Sequence, residues 1–290
     1  MEIWLIYAIL ASLLAGVTAI LAKIGIEDVN SHLATAVRTV IVVIFSWLIV
    51  FIVGSHIELA HVSARTWIFL VASGLATGAS WLCFFYALKF GSVSNVSPIK
   101  KSSTILTIIL AFLILREPVG VWQIVGIGFI AGGTALMMKR KDEKEGEEKS
   151  GGNWLLFGLL AAVFASLVTI LGAIGIADVE ANLGNAIRVV VVLVASWVMV
   201  FMTGNQKGVG DISRRSWIFL VLSGLATGGS WLFFFSALQL GPASVVVPID
   251  KLSIILNILF ARLFLGEKQS LKQLAGLACL VVGTLVIAML

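Results

Sequence analysis

Two stretches of the sequence put charge where apolar residues otherwise dominate. In VSNVSPIKKSSTILT, Lys100 and Lys101 follow Pro98, and in ASVVVPIDKLSIILN, Asp250 and Lys251 follow Pro248. A Lys, Arg or Asp at the centre of a bilayer costs about 2.5–3.5 kcal/mol on insertion scales, so each such residue needs a partner or a task. Pairing of Asp250 with Lys100 or Lys101 would leave surplus positive charge, and a positive cavity favours an anionic or zwitterionic small molecule. Asp250 is also the candidate for ion coupling, because a carboxylate inside a membrane can exchange a proton. The same four residues also fit a structural network, in which the prolines loosen each helix and the charges satisfy carbonyls or one another.

Other side chains extend both readings. On a helix, Ser94, Ser97, Lys101 and Thr104 share one face, and Asp250, Ser253 and Asn257 share another. Such polar stripes line a wet pathway or bond neighbouring helices together. Arg38 and Arg188 lie a turn or two inside apolar runs, where a long side chain either reaches back to the interface or meets a substrate. Trp81 and Trp231 sit deeper than an interfacial aromatic belt, which makes them candidates to line a binding site. Gly74 and Gly78, like Gly224 and Gly228, have the G-x-x-x-G spacing that lets helices approach closely. Lys23 fits a positive-inside anchor, and Glu117 and Glu267 open turns where a hairpin contact is expected.

The elements that position these residues must be membrane helices. Of 290 residues, 60% are hydrophobic and 12% charged, with a mean hydropathy of +1.09. That leaves too little polar surface for a soluble domain. The net charge of +5 resides mostly in short connections rather than in a stripe with interleaved aromatics, so nucleic acid is not the expected partner. Cys83 and Cys279 lie within apolar runs and have neither zinc-ligand nor disulfide spacing. The sequence has no hydrolase triad, Walker A loop, dinucleotide fingerprint or metal-ligand cluster, so no enzyme activity and no cofactor are expected. The first apolar run lacks a basic leader and a small-residue cleavage site, and is expected to remain as a span.

A helix crosses the hydrocarbon core with roughly 20 apolar residues. Ten segments qualify: 3–26, 33–54, 66–88, 93–115, 119–138, 154–176, 183–204, 216–238, 243–265 and 270–290. The sequence repeats at an offset of 150. WIFLVASGLATGASW at Trp67–Trp81 returns as WIFLVLSGLATGGSW at Trp217–Trp231, differing only at Ala72/Leu222 and Ala79/Gly229. Arg38 maps onto Arg188, Pro98 onto Pro248, Lys101 onto Lys251 and Glu117 onto Glu267. The expected organisation is an N-terminal repeat at 1–138, a charged linker at 139–153 and a C-terminal repeat at 154–290. Each repeat has an odd number of spans, so the second enters the membrane from the opposite side, giving two inverted five-helix repeats. Lys and Arg concentrate in the loops after the odd-numbered spans, including Lys139, Arg140, Lys141, Lys207, Arg214 and Arg215, while Arg65 and Arg116 alone face the other way. By the positive-inside rule both termini lie outside and the linker is cytoplasmic, in a multi-pass protein of the cell membrane.

The segments SGLATGGSWLFFFSALQLG, VVPIDKLSIIL and FLGEK, with their first-half mates SGLATGASWLCFFYALKFG, SPIKKSSTILT and LREPV, resemble the EamA-type branch of the drug/metabolite transporter superfamily. The resemblance covers nearly the whole chain, and each half also looks like a stand-alone, one-repeat member of that family. It implies ten helices in two inverted repeats, a central cavity lined mainly by spans 1, 3, 4 and their mates, and transport of small metabolites or drugs. The chain departs from a symmetric pattern where PIDK in the second half is PIKK in the first, so that Asp250 has no carboxylate mate. The resemblance implies cytoplasmic termini, as in two-repeat members of the family, against the loop charges here.

The expected function is secondary transport of a small solute by alternating access, with an uncoupled channel or a flippase for a lipid-linked phosphate as alternatives. Candidate binding and translocation residues are Lys100, Lys101, Asp250, Lys251, Trp81, Trp231, Arg38, Arg188 and Asn257. The inverted pair is complete within one chain, so a monomer suffices and a homodimer is optional.

Overall fold

The structure is a computed structural model that describes residues 2–26, 29–90, 96, 99–100, 102–118, 120–137, 153–264 and 270–289. Regular structure among them is helical throughout. The first half contains α1 (Ile3–Gly25), α2 (Ser31–Val53), α3 (Ala64–Phe90), α4 (Ser103–Leu110), a π-helical turn at Ala111–Leu115, and α5 (Val121–Met137). The second contains α6 (Trp154–Gly175), α7 (Ala181–Met202), α8 (Arg214–Leu240), α9 (Ala243–Lys251), α10 (Ser253–Phe264) and α11 (Leu271–Met289). Eight of the ten expected spans are long and apolar enough to cross a bilayer, with α9 and α10 read together as one from Ala243 to Phe260. The remaining two appear as shorter apolar helices, Ser103–Leu115 and Val121–Leu136.

Both halves set their helix ends with matching devices. Asn30 caps α2 by accepting a bond from the His32 amide, and Glu180, 150 residues on, caps α7 by accepting from the Asn182 and Leu183 amides. Such caps satisfy amides that have no partner within the helix. Past the ends of α2 and α7 the chain turns through Gly54 and Gly204, with φ of +84° and +70°, a left-handed conformation that glycine adopts without steric penalty.

Packing runs chiefly between the halves. α1 lies along α8 and α3 along α6, while α2 meets α7 and α5 meets α11. Two seam hydrogen bonds recur with the halves exchanged. The Ser73 hydroxyl donates to the Val168 carbonyl at 2.7 Å, and Ser223 donates to the Thr18 carbonyl at 3.0 Å. Ser80 donates to Ala161 at 2.8 Å, as Ser230 does to Ala11 at 2.9 Å. Apolar lipid offers little hydrophobic drive for helices to associate, so close approach and interhelical bonds of this kind hold them. A Cβ on Gly74 would lie 2.6 Å from Val191 Cβ, and one on Gly224 would lie 2.7 Å from Ile41 Cβ. The G-x-x-x-G glycines are therefore packing residues, and they face the opposite half. α5 and α11 approach in the same way, with the Gly126 and Gly133 positions against the backbone of Gly283 and Gly276.

Large apolar side chains such as Phe51, Ile52, Leu113, Val121 and Leu263 face outward, as a lipid-facing surface requires. The ninth expected span is broken. α9 ends at Lys251, Leu252 bonds back to Ile249 and Ile255 to Leu252 in tight turns, and α10 starts at Ser253. Pro248 inside α9 has no amide to donate to the helix ladder. In the first half Ser102 bonds back to Ile99 and Ile105 to Ser102, the same pair of tight-turn bonds at the equivalent place.

Candidate functional site

α2 and α3 of the first half meet α8 of the second around a cavity of about 260 Å³ lined by Arg38, Lys100, Trp81, Trp231, Phe84 and Phe85. Two threonines near Arg38 on α2, Thr35 three residues before it and Thr39 directly after it, also face it, as does Thr227 of α8. Its described lining carries two cations and no carboxylate. The Arg38 side chain crosses between halves, donating from Nη2 to the Thr227 hydroxyl at 2.9 Å, while its buried Nε has no hydrogen-bond partner among the described residues. The Lys100 ammonium lies 4.1 Å from the centroid of the Phe84 ring, a cation–π contact that offsets desolvation without cancelling charge.

Arg188 stands where Arg38 stands in the other half, yet its surroundings differ. It is 3% exposed. Its guanidinium carbon lies 4.8 Å from the Trp231 ring centroid and 4.5 Å from that of Phe235, and Nε donates to the Ser73 hydroxyl at 3.2 Å. Trp231 therefore lines the open cavity and also carries Arg188 over its ring. Neither arginine reaches back to the interface, because Thr227 and Ser73 of the opposite half supply acceptors at depth.

Asp250 bonds Lys251 at 2.8 Å and not Lys100. The two neighbours meet at the break after α9, whereas Lys100 is drawn to the Phe84 ring. Lys101 lies outside the described residues, as do Ser94, Ser97, Pro98 and Glu267. The charge cluster expected from the sequence is thus divided. Lys100 belongs to the first cavity, and Lys251 lines a second one of about 150 Å³ with Ser253, Asn257 and Thr134. Asn257 presents a buried amide oxygen without a partner among the described residues.

Glu117 makes a contact that the sequence did not suggest. Its carboxylate accepts from the amides of Ala243 at 2.6 Å and Ser244 at 2.9 Å, so it caps the N-terminus of α9 from the opposite half. Negative charge there complements the helix dipole. Thr35, Thr39 and Thr227 were also missed as lining residues. The signal for the first two was present, as threonines three residues before and one residue after an arginine in an otherwise apolar run.

A bundle of apolar helices, built twice over and enclosing a charged cavity, is a membrane transporter's architecture, and likeness to known proteins agrees. The EamA-like transporter family model matches residues 2–139 and again 152–289. The chain belongs to the EamA-like transporter family and is a multi-pass membrane transporter. It is 43% identical over 136 residues to an uncharacterized transporter of Sinorhizobium sp., covering 96% of that protein and 47% of this chain, so that relative is about one repeat long. It is 23% identical over 287 residues to human solute carrier family 35 member G1, covering 96% of this chain and 76% of that one. A solved crystal structure superposes with a TM-score of 0.76 over 97% of this chain and 94% of the other at 16% identity, which is likeness of fold.

Proposed function

We propose that the chain is a secondary transporter that carries a small organic anion or zwitterion by alternating access of two inverted five-helix repeats, with the Arg38 cavity as the substrate site. The observation that carries this reading is the cavity lining: Arg38 and Lys100 supply positive charge without a carboxylate beside them, and Trp81, Trp231, Phe84 and Phe85 supply apolar walls. Charges in a confined, low-dielectric space select the opposite sign. Few polar groups among aromatic walls is the usual composition of a small-molecule site.

The inverted arrangement is supported by seam contacts that recur on exchange of the halves, together with an odd number of spans per repeat. The broken ninth span fits the discontinuous helices common at transporter binding sites. In this reading ten helices span the cell membrane, both termini lie outside and the 139–153 linker is cytoplasmic. A monomer is complete, because the contacts between repeats lie within one chain. Arg188, Lys101, Lys251 and Asn257 belong to the translocation path, and Asp250 is the coupling residue if transport is ion-driven.

The test is thermal stabilisation of the purified protein by a metabolite panel divided by charge, since a ligand that binds the folded state raises its apparent stability. Anionic or zwitterionic compounds are expected to stabilise the wild type, and Arg38→Ala or Lys100→Ala to abolish the shift. Stabilisation by cations alone, or hits that survive both substitutions, would overturn the assignment.

A further inference from the structure

We infer that Asn185 and Arg188 form a second oxyanion-binding site, closed in this structure, that opens toward the opposite membrane face when the Arg38 cavity closes. The inference rests on the carrier reading above and adds to it a site, its residues and its ligand chemistry.

Asn185 is 0% exposed, yet both ends of its amide lack hydrogen-bond partners among the described residues. Three residues on, Arg188 has a buried Nη1 that is also without a partner. A polar group buried unpaired is costly, so such groups normally carry an explanation. Packing alone does not supply one here, since an apolar residue would fill the Asn185 position without that penalty. The repeat supplies it. The counterparts of Asn185 and Arg188 in the first half are Thr35 and Arg38, and both line the open cavity. Likewise Val189 stands where Thr39 stands, and Trp231 where Trp81 stands. The second half thus holds the equivalent positions on α7 and α8 with its arginine folded shut onto Trp231 and Phe235.

Exchanging the conformations of the two halves would free Arg188 from its aromatic stack. Nη1 of Arg188 and Nδ2 of Asn185 would then face one space as two donors on one face of α7, a match for the two oxygens of a carboxylate. The two sites are not equivalent in charge. The residue equivalent to Lys100 in the second half is Asp250, which is paired with Lys251. The described charges therefore hold an anion more firmly at Arg38 than at Arg188, and the second site is suited to release.

Side-specific thiol labelling tests this in proteoliposomes of the full chain carrying Cys83→Ser and Cys279→Ser. Thr35→Cys reports the open cavity, and Asn185→Cys and Val189→Cys report the second site. The probes are the membrane-impermeant anion 2-sulfonatoethyl methanethiosulfonate and its cationic trimethylammonioethyl counterpart. Thr35→Cys is expected to react from one face and the other two from the opposite face, the anion faster by about tenfold or more. Adding Ser73→Ala, which removes a bond to Arg188, should raise the rate at Asn185→Cys. If both second-site reporters stay inert from both faces while Thr35→Cys reacts, the second site is overturned and the Arg38 substrate site stands. Reaction from the same face as Thr35→Cys overturns it too. If Thr35→Cys is inert from both faces, the substrate cavity itself fails and the second site falls with it.

Discussion

Along the seam between the halves, Ser80 and Ser230 do the same work 150 residues apart, each donating to a carbonyl of the opposite repeat's first helix. A short distance away, Arg38 and Arg188 occupy matching positions in α2 and α7 and do different work. One faces an open cavity and bonds a threonine, and the other lies against two aromatic rings. Packing at near-contact distances has few solutions, so duplicated seam residues stay alike. A cavity tolerates different side chains, and there Thr35 stands against Asn185, Thr39 against Val189, and Lys100 against Asp250.

The largest effects that bear on this contrast should come from the seam. Gly74→Leu and Gly224→Leu each drive a side chain into a backbone approach already closed to a methyl group, and overpacking typically costs about 1–3 kcal/mol or more. Both variants are expected to lower the unfolding midpoint in detergent by similar amounts. A tolerated Gly74→Leu beside a ruinous Gly224→Leu would show that the seam is asymmetric after all.

Arginine removal should separate the two polar regions. Arg188→Ala loses a desolvated stack worth about 2 kcal/mol and leaves a void, so thermal stability falls. Arg38→Ala loses one charge-assisted hydrogen bond, about 1.5–3 kcal/mol, but no two-ring stack, so its stability loss is the smaller and its chief effect is on anion binding. Lys100→Ala should weaken anion binding by about tenfold, as loss of one charge-assisted contact does, in a calorimetric titration; Asp250→Asn should not weaken it. The smallest effects belong to the seam hydroxyls. Ser80→Ala and Ser230→Ala, each of which removes one bond to the opposite repeat, should each cost about 0.6 kcal/mol, the average for an interhelical bond in a membrane, and unequal values would break the symmetry at its most regular point.

The repeat, eight of the ten spans and the apolar exterior were legible because each is written in periodicity and in local composition. Trp81 and Trp231 were legible as unusually deep aromatics. The partner of Asp250 was not, since choosing between an adjacent lysine and one on another helix depends on the break at Leu252, which hydropathy does not reveal. Arg38 and Arg188 read alike by depth, and only their neighbours in three dimensions distinguish them. Glu117 read as a hairpin residue because a helix N-terminus contributed by the other half leaves no mark near position 117.

The lengthwise packing of α1 on α8, and not on its own sequence neighbours, sets an order of events during synthesis. Ribosomes add about 5–20 residues per second, and α8 begins at Arg214. The first helix therefore spends roughly 10–40 s in the bilayer before the helix it packs against has been made. Its small-residue face at Ala8, Ala11, Ser12 and Gly16, buried in the finished protein, must meanwhile be covered by lipid or by the insertion machinery.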